Sequence, residues 1–111
     1  MIRSVIWRDD QRRIRKFSVR GHAGAADPGY DIVCAAVSIL VTNAINSSEY
    51  LLGVVVATDD EIASGDVVCE VPALDDVENE KLQLLMESMV FGIRQVADAY
   101  PDFVKFTEKS R

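Results

Sequence analysis

The sequence predicts a single α+β domain in which two helices pack on a mainly antiparallel sheet, in the order β-β-α-β-β-α-β. Three observations predict it: paired segments of alternating polarity, two longer segments with helical apolar spacing, and a length of 111 residues. This length leaves room for one domain, which covers residues 1–111. Hydrophobic residues make up 49% of the chain, so one core can form without disulfides.

Alternation predicts a β-hairpin at the start of the chain. Residues 2–8 alternate between apolar and polar, residues 9–13 form a polar cluster, and residues 14–20 alternate again. A period of two residues is typical of a half-buried strand. Three glycines and a proline lie within residues 21–30, which predicts a loop.

The first helix is predicted to begin at Asp31, which we expect to act as its N-cap. Apolar residues recur on nearly all sides of the segment from residue 32 to residue 45, so we expect burial on more than one side. The longest apolar stretch covers residues 32–41, which is shorter than the roughly 20 residues that cross a membrane. We therefore expect no membrane span.

The remaining elements follow from the same two periods. Residues 51–58 are apolar and β-branched, and residues 67–71 alternate after an acidic turn containing Gly65, which predicts a second hairpin. Residues 75–100 have helical spacing that Pro101 ends, and residues 103–107 predict a final strand. The wide apolar surface of this second helix favours either burial against a partner subunit or deeper burial within one subunit.

Charge is distributed unevenly along the chain. Residues 1–20 carry seven Lys or Arg and two Asp, a net charge of +5, whereas the rest of the chain carries −11. An acidic body repels phosphate backbones and attracts basic proteins, so we expect no direct binding to nucleic acid. A solubilising surface with a basic edge hairpin is the alternative interpretation. The first residues do not form a secretory signal, so we expect a cytoplasmic protein.

Two cysteines and one histidine limit the chemistry that the chain can perform. Cys34, Cys69 and His22 cannot supply a structural zinc site, and we expect neither a metal nor a cofactor. Cys69 lies in an alternating valine-rich segment, where a buried small side chain is expected. Cys34 falls in the first turn of the predicted helix, where unpaired amides and the helix dipole stabilise a thiolate.

His22 is close enough in sequence to reach Cys34, because the intervening loop is long enough to fold back onto the helix start. Such a pair would let the imidazole accept the thiol proton and the thiolate attack a carbonyl carbon. Position alone equally allows both residues to be structural. Asp31 either orients His22 or caps the helix, and Ser38, one turn after Cys34, bonds either within the site or to its own helix backbone.

The loop over residues 23–30 is a candidate substrate loop. Gly24 and Gly29 give its backbone freedom and Pro28 restricts it, which favours closure over an extended peptide. An ordinary connection between two elements is the alternative.

Two stretches of the sequence have a specific order and spacing of residue types. They are Gly21-His22-Ala23 and, after a short loop, Gly29-Tyr30-Asp31-Ile32-Val33-Cys34-Ala35-Ala36-Val37-Ser38. They resemble the signature of the ribosomal-processing cysteine protease family, often called Prp, and the length and element order are similar throughout. The resemblance implies a cytoplasmic, homodimeric endopeptidase with His22 as general base and Cys34 as nucleophile. Its implied substrate is the N-terminal extension of the bacterial large-subunit ribosomal protein twenty-seven.

Two other functions remain open from the residues. A non-catalytic ribosome-assembly factor would hold a basic ribosomal protein on the acidic surface without cutting it. A thiol-dependent acyl transferase or redox sensor would use Cys34 without cleavage, although no resolving cysteine lies nearby in sequence. Cleavage of a ribosomal protein distinguishes the protease from both.

Overall fold

The computed structural model describes residues 1–21, 28–58 and 66–111. Within these ranges the elements are β1 Ile2–Arg8, β2 Ile14–Arg20, α1 Pro28–Leu52, β3 Ala57–Thr58, β4 Val67–Glu70, α2 Asp76–Ala99 and β5 Val104–Ser110. This order and the α+β class confirm the prediction. The bounds of the first two strands equal those that the alternation predicts.

The described strands form one sheet in the order β3-β4-β2-β1-β5. The pairs β1–β2, β2–β4 and β3–β4 are antiparallel, whereas β5 joins β1 in parallel, so the predicted mainly antiparallel sheet is confirmed. Alternate side chains of the strands point to the same face. Ile2, Ile6, Phe17 and Cys69 are fully inaccessible on the face that packs against the helices.

The helix α1 begins at Pro28, three residues earlier than predicted. Proline fits the first helical position because its fixed φ suits a helix and its missing N–H would be unpaired there anyway. Asp31 therefore lies inside the first turn, and the prediction that it caps the helix is wrong. Gly29 also belongs to α1, so the prediction that residues 28–30 are part of a loop is wrong.

The helix α1 also ends later than the apolar spacing indicates. It continues to Leu52, and Gly53 then adopts a φ of +66° and donates its N–H to the Glu49 carbonyl at 2.9 Å. Glycine is favoured at such a left-handed helix end because it has no Cβ. The predicted strand over residues 51–58 is therefore reduced to β3, because its first two residues complete the helix.

One stripe of α1 enters the core, rather than several sides as predicted. Val33, Val37, Val41 and Ala44 are buried on this stripe, whereas Ile39 remains 63% exposed. The stripe packs beside α2 in one apolar cluster with the sheet. Residues 32–52 do have the length and hydropathy of a membrane-crossing helix, contrary to the estimate from the shorter apolar stretch. In this structure the buried stripe of the segment packs in the core, whereas Ile32 and Leu51 are largely exposed.

The helix α2 matches its prediction closely. Asp75 is the N-cap and accepts a hydrogen bond from the Glu78 N–H at 3.1 Å, and Tyr100 is the C-cap. Gln83 joins α2 to the sheet, because its amide accepts from the Ile14 N–H at 2.7 Å and donates to the Ile14 carbonyl at 2.9 Å. The helix is thereby held in register with the start of β2.

Candidate active site

Cys34 lies in the second turn of α1, as the seventh residue of the helix. Because α1 begins at Pro28, the backbone N–H of Cys34 is one of those that pair within the helix, not one of the unpaired first amides. The predicted placement of Cys34 in the first turn is therefore wrong, and the helix dipole acts on it less directly. The side chain is half-buried and packs at the edge of the core.

Ser38 lies one helical turn after Cys34, on the same side of α1. Its side chain is exposed. Within the described residues, the Ser38 hydroxyl has no hydrogen-bond partner, whereas the Ser48 hydroxyl donates to the Ala44 carbonyl at 2.7 Å. Ser38 is thus available for a partner outside its own helix.

The second thiol has very different surroundings. Cys69 lies on β4 with no exposed surface, opposite Phe17 in the register with β2. Burial raises the pKa of the Cys69 thiol from 9.0 to about 11. A thiol that is inaccessible and protonated at neutral pH is not a nucleophile. Cys69 is therefore a structural residue, as predicted, and Cys34 is the accessible thiol of the chain.

Gly21 ends the strand β2 in a conformation that only glycine tolerates well. Its φ is +97°, and an added Cβ would overlap the Met1 carbonyl oxygen. The Gly21 N–H donates to the Asp66 carboxylate at 3.0 Å, just before β4. The point where the chain leaves the sheet toward His22 is therefore set by a close backbone approach and a hydrogen bond. From the sequence, Gly21 was noted only as part of the Gly21-His22-Ala23 motif, and Asp66 was not identified.

Other predicted site residues are placed only in part. His22 and Gly24 lie outside the described residues, as does most of the predicted substrate loop. Residues 22–27 join Gly21 covalently to Pro28, and Cys34 follows six residues later, about 9 Å along the helix axis. Among the described residues no cluster of His, Cys, Asp and Glu is suited to a metal ion.

An apolar groove lies between α1 and α2, on the opposite flank of α1 from Cys34. Its volume is about 400 Å³, and its lining is Ala36, Ile39, Leu40, Gly92, Gln95, Val96, Ala99 and Tyr100. The two helices approach closely there, because a Cβ on Gly92 would lie 2.7 Å from Leu40 Cδ2. Since Cys34 and Ala36 point to opposite sides of the helix, the groove is separate from the candidate active site.

Comparison with known proteins identifies relatives over nearly the whole chain. The family model described as cysteine protease Prp matches residues 1–105. The ribosomal processing cysteine protease Prp of Bacillus subtilis is 33% identical over 108 residues, which cover 96% of each chain.

Solved structures share the fold. The crystal structure of SMU.848 from Streptococcus mutans has a TM-score of 0.86 and 31% identity, covering 100% of this chain and 96% of its own. A ribosomal processing protease Prp from S. aureus, solved in complex with a substrate peptide, has a TM-score of 0.86. Its identity is 21%, with 98% of this chain and 100% of its own covered, so this second likeness supports the fold.

Proposed function

Because this chain belongs to the cysteine protease Prp family, and is therefore a ribosomal-processing cysteine protease, we propose that Cys34 is its nucleophile and His22 its general base. The observation that carries the proposal is the contrast between the two thiols. Cys34 is half-buried on the helix that follows His22, whereas Cys69 is inaccessible, with a pKa raised to about 11 by burial.

In the proposed reaction, His22 accepts the proton of the Cys34 thiol, and the sulfur attacks the carbonyl carbon of the scissile peptide bond. The tetrahedral intermediate expels the amine, which takes its proton from the His22 imidazolium, and a thioester remains on Cys34. Water then attacks the thioester while His22 accepts its proton, and the thiolate leaves. The complete reaction consumes one water molecule and needs no cofactor.

The proposed substrate is the N-terminal extension of the large-subunit ribosomal protein twenty-seven, processed in the cytoplasm. Charge supports a basic protein substrate, because the chain carries −11 outside its first 20 residues. The two free cysteines in the structure, Cys34 and Cys69, suit a reducing compartment. Asp31 and Ser38 are proposed supporting residues, with Ser38 favoured by its exposed hydroxyl on the Cys34 side of α1.

A matched pair of cysteine variants tests this function. Wild type, Cys34→Ala, Cys69→Ala and His22→Ala are each incubated with the extended ribosomal protein from the same genome, and product masses are read. A single cut by wild type and Cys69→Ala, with none by the other two, is the expected result. Activity that survives in Cys34→Ala overturns the assignment. Binding of the substrate without a cut by any form would favour the assembly-factor function instead.

We also propose that the groove between α1 and α2 is covered by a second copy of the chain. The groove is apolar, and two exposed apolar residues, Phe91 (57%) and Leu84 (71%), lie on the side of α2 that carries Gln95. Apolar surface of this kind is typical of a subunit contact. Light scattering should give a dimer mass for wild type and a monomer mass for Ile39→Asp. A monomeric wild type at micromolar concentration contradicts the proposal.

A further inference from the structure

The face of the sheet that the helices leave uncovered carries a concentration of positive charge. Strand alternation places Ile2, Ile6 and Phe17 on the helix-packed face, so their sequence neighbours point to the other face. We call this second surface the open face. Its cations are Arg3, Lys16, Arg20, Lys105 and Lys109.

The strand register arranges the open face into three rows across β2, β1 and β5. The rows are Arg20–Arg3–Lys105, Ser18–Val5–Thr107 and Lys16–Trp7–Lys109. Neighbouring strands lie about 4.8 Å apart, and the two cationic rows are four residues apart, or about 13 Å. Small neutral side chains fill the row between them, so the cations border a shallow strip.

Within residues 1–21, 28–58 and 66–111, these cations have no carboxylate partner, whereas five other arginines in or beside the sheet do. Arg8, Arg12, Arg13, Arg15 and Arg111 all form salt bridges. In the described part of the chain, none of the five open-face cations forms one. Like charges directly opposite in a sheet are destabilising, yet Arg3 faces both Arg20 and Lys105. The row therefore costs the folded chain stability unless an anion neutralises it.

In the row Lys16–Trp7–Lys109, the Trp7 ring positions both lysines without neutralising their charge. The Nζ atoms of Lys16 and Lys109 lie 4.9 and 5.9 Å from the centroid of this ring. Such cation–π contacts hold the two ammonium groups in place and leave their charge intact. Glu70 is paired across the strands with Lys16, but its carboxylate is bound to Arg111 at 2.7 Å. Arg111 and Glu70 neutralise each other, so among the described residues the open face has five positive charges without a carboxylate partner.

We propose that the open face binds the phosphate backbone of RNA. A chain with one anion per nucleotide can neutralise both cationic rows, and the acidic remainder of the protein confines it to this face. Because lysines already flank the Trp7 ring, the contacts are to phosphates and tolerate any base sequence. The choice of RNA rests on the proposed function, since the proposed substrate is a ribosomal protein, which assembles with RNA. This proposal differs from the expectation of no direct binding to nucleic acid, which was based on the net charge of the chain.

The test measures binding of the full chain to a fluorescein-labelled 12-nucleotide oligouridylate by anisotropy between 25 and 200 mM KCl. The variant Arg3→Gln/Lys105→Gln removes two cations from one row, and Lys16→Gln/Lys109→Gln removes two from the other. The control Lys81→Gln/Arg94→Gln makes the same charge change at exposed sites on α2. A labelled oligoglutamate of the same length probes for an acidic peptide.

Each open-face variant should flatten the slope of log K against log salt concentration by about 1.4, at roughly 0.7 for each phosphate that is no longer neutralised. Its affinity at 50 mM salt should fall about tenfold, while the control stays within about twofold of wild type. The proposal is overturned if wild type does not bind the RNA at 25 mM salt, if the control weakens equally, or if oligoglutamate binds as tightly. Substrate cleavage should be unchanged in the open-face variants, so this test and that of the protease function fail separately.

Discussion

Selective alkylation of one of the two thiols is the sharpest consequence of the site geometry. The perturbation is iodoacetamide at pH 7.5 on the folded protein, which reacts with thiolates. With a pKa of about 11, only about 3 × 10⁻⁴ of Cys69 is ionised at this pH, against about 0.03 for a thiol with the unperturbed pKa of 9.0. Cys69 is thus ionised about 100-fold less, and its complete burial slows the reaction further.

The assay follows both thiols and the activity together. Aliquots are quenched over time, the peptides containing Cys34 and Cys69 are quantified by mass spectrometry, and cleavage of the substrate protein is measured in parallel. We expect labelling of Cys34 and loss of cleavage to follow one time course while Cys69 stays unmodified. In guanidinium both peptides should label at similar rates, which controls for the chemistry of the reagent.

Two results would refute the reasoning. Labelling of Cys69 within about tenfold of the rate at Cys34 would show that burial does not protect it in solution. Full labelling of Cys34 with cleavage retained would show that this thiol is not the nucleophile.

Three further predictions concern stability. Gly21→Ala should lower the free energy of unfolding by about 1–3 kcal/mol, because the positive φ strains an alanine and its Cβ would overlap the Met1 carbonyl. Urea denaturation measures this change, and an unchanged midpoint would contradict the prediction. Gln83→Met should cost about 1–3 kcal/mol in the same assay, because the Ile14 amide and carbonyl are left without partners, and a neutral effect would disprove that link. The pKa of Cys69 is higher in the folded protein than in the unfolded chain, so the protonated thiol stabilises the fold below pH 9 and this contribution is lost as pH rises toward 11. Over that range the free energy of unfolding of wild type should fall by about 2 kcal/mol relative to that of Cys69→Ala, and parallel pH profiles would argue against it.

Local sequence patterns were sufficient for elements whose signals lie within them. The first two strands match their predicted bounds because alternation runs through each without a break. The helix α2 matches because Asp75 caps it and Pro101 follows it closely. In both cases the signals that set the bounds of the element lie within the element or next to its ends.

The ends of α1 show where local patterns were insufficient. Apolar spacing located its middle, but Pro28 extends its start and Gly53 sets its end. Because α1 starts at Pro28, Asp31 lies inside the helix rather than at its cap, and Cys34 lies in the second turn rather than the first. The sequence still identified Cys34 over Cys69 correctly as the accessible thiol, because a valine-rich alternating strand indicates burial.

The sequence by itself determined the α+β class, the order of the elements, the thiol to be buried and the excess of cations in the first 20 residues. Only the tertiary structure decided that Arg8 is neutralised and Arg3 is not. Arg8 meets Glu87 from α2 and Glu108 from β5, whereas Arg3 meets Lys105 across the parallel pair of β1 and β5. These partners lie about 80 to 100 residues away in sequence. Strand register and helix packing bring them together, and no local periodicity encodes that pairing.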